Sequence, residues 1–146
     1  MFSLAKKSSL AIAIAILVVP ILTACGPDRN IDVTEDSYSI KFENNKTTLP
    51  SGKLTFHVTN KATDQEHEFV IFKTDLTWDQ MPTKSDGSVD EEGKGVTHID
   101  EIGGIPAGQT KSLTVNLQPG KYIAICNLTD PSSHFQAGMH YAFTVK

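Results

Sequence analysis

Gly120-Lys121-Tyr122-Ile123-Ala124-Ile125-Cys126-Asn127-Leu128-Thr129-Asp130-Pro131-Ser132-Ser133-His134-Phe135-Gln136-Ala137-Gly138-Met139-His140-Tyr141-Ala142-Phe143-Thr144-Val145 lies at the C-terminal end of a 146-residue chain. Two apolar runs, Tyr122 to Cys126 and His140 to Val145, read as short strands. The connection between them is rich in Asp, Pro, Ser and Gly, the residues of turns. Cys126, His134 and Met139 place a thiol, an imidazole and a thioether within fourteen residues. One short connection can aim all three donors at a single point. A fourth donor must come from a neighbouring strand.

Upstream, strand signals continue and no helical period is sustained. Ser37 to Phe42 alternates polar and apolar with period two, as a half-buried strand does. Pro50-Ser51-Gly52 is a turn signal. Leu54, Phe56 and Val58 then share one face, with Thr55, His57 and Thr59 on the other. Asn60 to Gln65 is a polar connection, and His67 to Phe72 is a further apolar strand. Lys111 to Leu117 puts Leu113, Val115 and Leu117 on one face before the turn Gln118-Pro119-Gly120. Short strands at this spacing predict an all-β Greek-key sandwich of about seven or eight strands. Asp75 to about Val96, which holds Trp78 and the run Asp90-Glu91-Glu92, is read as a long loop. It is either a solvated connection or an acidic docking face for a basic partner.

The first two dozen residues stand apart. Lys6 and Lys7 precede an apolar stretch from Leu10 to Leu22, too short to span a bilayer and right for a secretory signal. The stretch ends in Leu22-Thr23-Ala24-Cys25, which resembles the lipobox of bacterial lipoproteins, whose cysteine is lipidated after cleavage. A plain signal or an uncleaved anchor helix is the alternative. The expected organisation is a signal peptide over 1–24, a lipidated Cys25 with a polar tether over 25–35, and a domain over 36–146. The protein is then exported and held by its lipid at a membrane, facing the periplasm or the cell exterior. Loss of Lys6 and Lys7 leaves 11 basic against 17 acidic residues, a net charge of about −6. That balance argues against nucleic acid and anionic lipid headgroups as partners. With Cys25 lipidated, Cys126 is a single cysteine in an exported protein. By count alone it is either a reactive or metal-binding thiol, or a buried structural one.

The joint pattern decides between these. A trigonal His₂Cys set with a long axial Met is a copper arrangement. The C-terminal segment resembles the ligand loop of the cupredoxins, the family of plastocyanin and azurin, through Tyr122, Cys126, His134, Ala137, Gly138 and Met139. His67-Glu68-Phe69-Val70-Ile71 matches the strand that opens on the family's upstream histidine, and Val58-Thr59-Asn60 matches a strand end before it. The resemblance spans roughly Ser37 to Lys146. It implies one type 1 copper ion held by His67, Cys126, His134 and Met139. Cys126 supplies the thiolate, the histidines supply the planar nitrogens, and Met139 is the weak axial ligand. It also implies that the edge of His134 is exposed through an apolar patch where a redox partner such as a cytochrome or oxidase docks. Leu128, Phe135 and Ala137 are the candidates for that patch.

Two departures bear on the site. Seven residues separate Cys126 from His134, more than family members usually have, so the copper geometry and colour are open. Glu68 stands where plastocyanin and azurin carry an asparagine that braces the ligand loop. It either braces the loop as an acceptor or approaches the metal. His57 and His98 are read as surface residues, and His140 as facing away from the site. The expected function is single-electron transfer outside the cytoplasm. The alternatives are a copper carrier, store or assembly protein using the same ligands, and a metal-free accessory module. An enzyme is not expected, because protein groups fill all four positions around the metal and catalytic sites usually keep one open.

Overall fold

The computed structural model describes residues 29–146, which form a two-sheet β-sandwich. The expected signal peptide, Cys25 and the start of the tether lie outside the described residues. Nine strands are present among the described residues. They are β1 Arg29–Asp36, β2 Ser39–Phe42, β3 Thr48–Leu49, β4 Gly52–Asn60, β5 His67–Thr74, β6 Val96–Ile105, β7 Thr110–Leu117, β8 Gly120–Ile125 and β9 His140–Val145. One sheet runs β2-β1-β4-β7 and the other β3-β9-β8-β5-β6. Neighbours within a sheet are mostly distant in sequence, so the chain crosses between sheets as Greek-key connections do. Among the described residues no helix is long and apolar enough to cross a membrane.

The six strands read from the sequence are present, and three were not read. β1 covers most of the expected tether, and the sheet begins at Arg29 rather than after residue 35. Asn30, Asp32 and Thr34 made the segment look polar. Its other face, Ile31, Val33 and Glu35, is buried, and β1 runs parallel to β4 from Arg29↔Leu54 to Glu35↔Asn60. β3 is two residues long, below what periodicity resolves. β6 carries few apolar side chains because it is an edge strand, paired only with β5.

Leu54, Phe56 and Val58 pack against Phe69, Ile71, Tyr122, Ala124 and Phe143 in the main core. Phe56 lies 5.6 Å from the Phe69 ring and 5.8 Å from Phe42, in tilted aromatic contacts. β5 is apolar on both faces. Its other side, Val70 and Phe72, joins Ile123, Ile125 and Phe135 in a second cluster. Met81 and Val89 from the 75–95 segment close that cluster. The segment is therefore anchored on the outer face of the second sheet by Met81 and Val89, while Asp79, Lys84, Asp86 and Glu92 stay exposed. Its interior is tied by the bridge Thr83↔Val89.

Candidate metal centre

Strand ends and backbone hydrogen bonds place the predicted donors. His67 opens β5 opposite Ile105 of β6. Cys126 follows β8, and its N–H donates to the Met139 carbonyl at 3.1 Å. His134 N–H donates to Leu128 O at 2.9 Å, and Met139 N–H donates to His134 O at 3.0 Å. These bonds fold the connection between β8 and β9 back on itself, so Cys126, His134 and Met139 share one end of the sandwich. All four predicted residues are fully buried.

Three donor atoms converge. The Nδ1 atoms of His67 and His134 lie 3.2 Å apart. Cys126 Sγ lies 3.2 Å from His134 Nδ1 and 3.9 Å from His67 Nδ1. Met139 packs in the same core cluster as Cys126. Burial pushes the Cys126 thiol up to about 12, against the Glu68 N–H that donates to Sγ at 3.3 Å. His67 is held below its ordinary value, by burial first and then by the His134 ring. At neutral pH the metal-free site thus holds a protonated thiol, beside a His67 ring whose protonation burial disfavours. Such a thiol is a poor nucleophile.

Glu68 braces the ligand loop. Its Oε1 accepts the Asn127 N–H at 2.8 Å while its own N–H points at the Cys126 sulfur. Burial pushes this carboxyl up to about 7, opposed by the Asn127 N–H and reinforced by neighbouring Glu101, Glu91 and Glu66. The Asn127 side chain extends the brace outward. Its Oδ1 accepts the Val89 N–H at 2.6 Å, and its Nδ2 donates to Val89 O and Glu91 Oε1, both at 3.1 Å. The 75–95 cover and the ligand loop are therefore stitched together, an arrangement with no local signal across 38 residues of chain.

The long loop covers His134 rather than exposing it. His134 Nε2 lies 3.0 Å from the Asp130 carbonyl, and Tyr38 packs edge-on against the ring at 5.3 Å. His134 is 0 % exposed. The expected apolar patch is corrected accordingly: Phe135 is buried in the second cluster, Leu128 is half-buried against the main core, and Ala137 alone is exposed. The extra residues between Cys126 and His134 supply the carbonyl that caps the ring. His140 stacks on the exposed Trp78 at 4.7 Å, away from the donors.

The donor set fits copper. A soft sulfur and two imidazoles suit copper, with a thioether close by in the chain. Bonds of about 2.0–2.3 Å to a first-row metal put the corners of a trigonal set roughly 3.5–3.8 Å apart. The observed separations bracket that range. His67 turns its Nδ1 to the cluster, and its Nε2 is buried and unpartnered among the described residues.

The comparisons agree with this geometry. The profile of the copper binding proteins, plastocyanin/azurin family, matches residues 29–146. Auracyanin from Roseiflexus castenholzii, in its dithionite-reduced form, superposes with a TM-score of 0.58 at 21% identity, over 83% of this chain and 99% of that one. Rusticyanin from Thiobacillus ferrooxidans gives 0.61 at 16% identity, over 83% and 79%. Auracyanin B gives 0.53 at 17%, over 81% and 88%. No curated protein matches the chain in sequence. The profile match spans the whole sandwich, and the buried His–Cys–His cluster supplies the donors it requires: the chain belongs to the plastocyanin/azurin family of copper-binding proteins, the cupredoxins, with one type 1 copper ion as its cofactor.

Proposed function

We propose that this protein carries single electrons outside the cytoplasm, tethered by lipid at Cys25, through copper held by His67, Cys126 and His134 with Met139 as the weak axial ligand. The observation that carries the reading is the convergence of three buried donors on one point. Bound copper supplies a one-electron Cu(II)/Cu(I) couple. The chain supplies rigidity. Glu68 fixes the sulfur and the loop together, Asp130 O and Tyr38 fix the His134 ring, and the loop's own backbone bonds fix Cys126 to Met139. Donors that cannot move far suit a change of oxidation state with little rearrangement. With Met139 as the fourth ligand, the buried set would leave no open position for substrate, which supports a carrier rather than an enzyme.

Spectroelectrochemical cycling of the copper-loaded protein against a copper chelator tests carriage. The expected result is a reversible one-electron couple with copper retained in both states. Release of copper to the chelator on reduction would contradict it and favour copper delivery.

The brace makes its own prediction. Glu68→Ala strands the Asn127 N–H and frees the loop, and is expected to weaken copper binding about 10–100-fold, as loss of an orienting partner usually does. Glu68→Gln keeps an oxygen acceptor for Asn127 and is expected to bind within a few-fold of the native protein. Competition titrations with a chelator measure both. Equal losses in the two variants would show that the charge, not the hydrogen bond, matters.

A further inference from the structure

We propose that Glu91, His98 and Glu101 form a second cation site, separate from the thiolate cluster, for a borderline divalent metal such as Zn²⁺. His98 Nε2 lies 3.3 Å from Glu101 Oε2 and 3.9 Å from Glu91 Oε2. The three donor atoms all lie within 4.8 Å of one another. One imidazole nitrogen and two carboxylate oxygens suit zinc, and bonds of about 2.0–2.2 Å would draw these atoms together only slightly.

The backbone is shaped for this convergence. Residues three apart on a regular strand face opposite sides. His98 and Glu101 meet because β6 is irregular between them: Ile71 pairs with Asp100, but the next residue, Phe72, pairs with His98. The extra residue, Ile99, makes a bulge, and bulges re-aim side chains in this way. Partners outside the cluster hold two of the three ligands. The His98 ring packs edge-on against Phe72 at 5.6 Å. Glu91 Oε1 accepts the Asn127 Nδ2–H at 3.1 Å, which leaves Oε2 facing His98. Glu91 reaches the site from the 75–95 cover and the other two from the edge strand, so a bound cation would cross-link cover and sheet. All three side chains are part-exposed, between 33 and 42%, so a hydrated ion can enter and water can complete the coordination.

The test uses zinc as the probe on the copper-loaded protein, in which the thiolate cluster is already filled. Calorimetric titration is expected to show one further equivalent of zinc bound, with the His98 imidazole resonances shifting and those of His57 unmoved. His98→Gln and Glu101→Gln are each expected to weaken zinc at least about tenfold while leaving the copper spectrum unchanged. Repeating the titration in Cys126→Ser keeps the result independent of the copper reading. Absence of a His98 shift at millimolar zinc, or zinc binding undiminished in both variants, would overturn the site and leave ion pairs between His98 and the two carboxylates.

Discussion

Glu35→Met is expected to stabilise the protein at pH 7 by on the order of 3 kcal/mol and to remove most of a fall in stability with rising pH. Glu35 sits on the inward face of β1 after Ile31 and Val33, is 0 % exposed, and neither carboxyl oxygen has a hydrogen-bond partner among the described residues. Burial pushes its carboxyl from 4.5 up to about 9, with Glu68 adding to the shift. The folded state therefore keeps a proton that the unfolded chain gives up near its ordinary value. Between about pH 4.5 and 9 the unfolded state binds fewer protons, so stability falls as pH rises. At pH 7 that interval covers about 2.5 pH units, each worth about 1.4 kcal/mol. Methionine is of similar length and needs no partner, so the term disappears. Below about pH 7 Glu68 adds to the fall, and the lowered His67 and His140 oppose it below about 6.5. Urea unfolding of the copper-free protein from pH 5 to 9 measures both. A native profile that is flat over that range would contradict the assignment.

Copper loading is expected to raise stability by about 4 kcal/mol when free copper stands about 1,000-fold above its dissociation constant. His67 and Cys126 lie 59 residues apart in the chain and 3.9 Å apart in the fold. The unfolded chain therefore holds no such site, and binding energy becomes folding energy. For a domain of this size the melting temperature should rise by roughly 10–20 °C. Cys126→Ser should lose most of that gain, because an alcohol does not deliver the soft donor that the thiolate does. Scanning calorimetry with and without copper separates the cases. An equal rise in Cys126→Ser would place the metal elsewhere.

The sequence made the strands that bury one face and the ligand loop legible, for physical reasons. Leu54-Thr55-Phe56-His57-Val58 has a period of two that only a half-buried strand explains. The order Cys126, His134, Met139 with Ala137-Gly138 before the Met has no packing rationale. Sheet membership of β1 was hidden because its buried face ends in a carboxylate, Glu35, where an apolar residue would have completed the pattern. The 75–95 segment looked like a free loop because its contacts are few and dispersed: Met81 and Val89 in the second cluster, Gly87 O accepting from Ser133 Oγ, and Val89 held by Asn127. The covering of His134 was also out of reach, since it depends on how seven residues fold rather than on which residues they are. Glu68 was legible as a site residue with two possible roles, and its hydrogen bond to Asn127 selects the brace.

The visible absorption spectrum of the soluble form beginning after Cys25, titrated with Cu(II) beside Cys126→Ser, tests the central claim most directly. The account predicts an intense thiolate-to-copper band that saturates at one equivalent and is missing from the variant. Its wavelength would report how the capped His134 and the long loop shape the site. A folded, oxidised native protein that takes up copper with no such band, or shows the same band without Cys126, would contradict it.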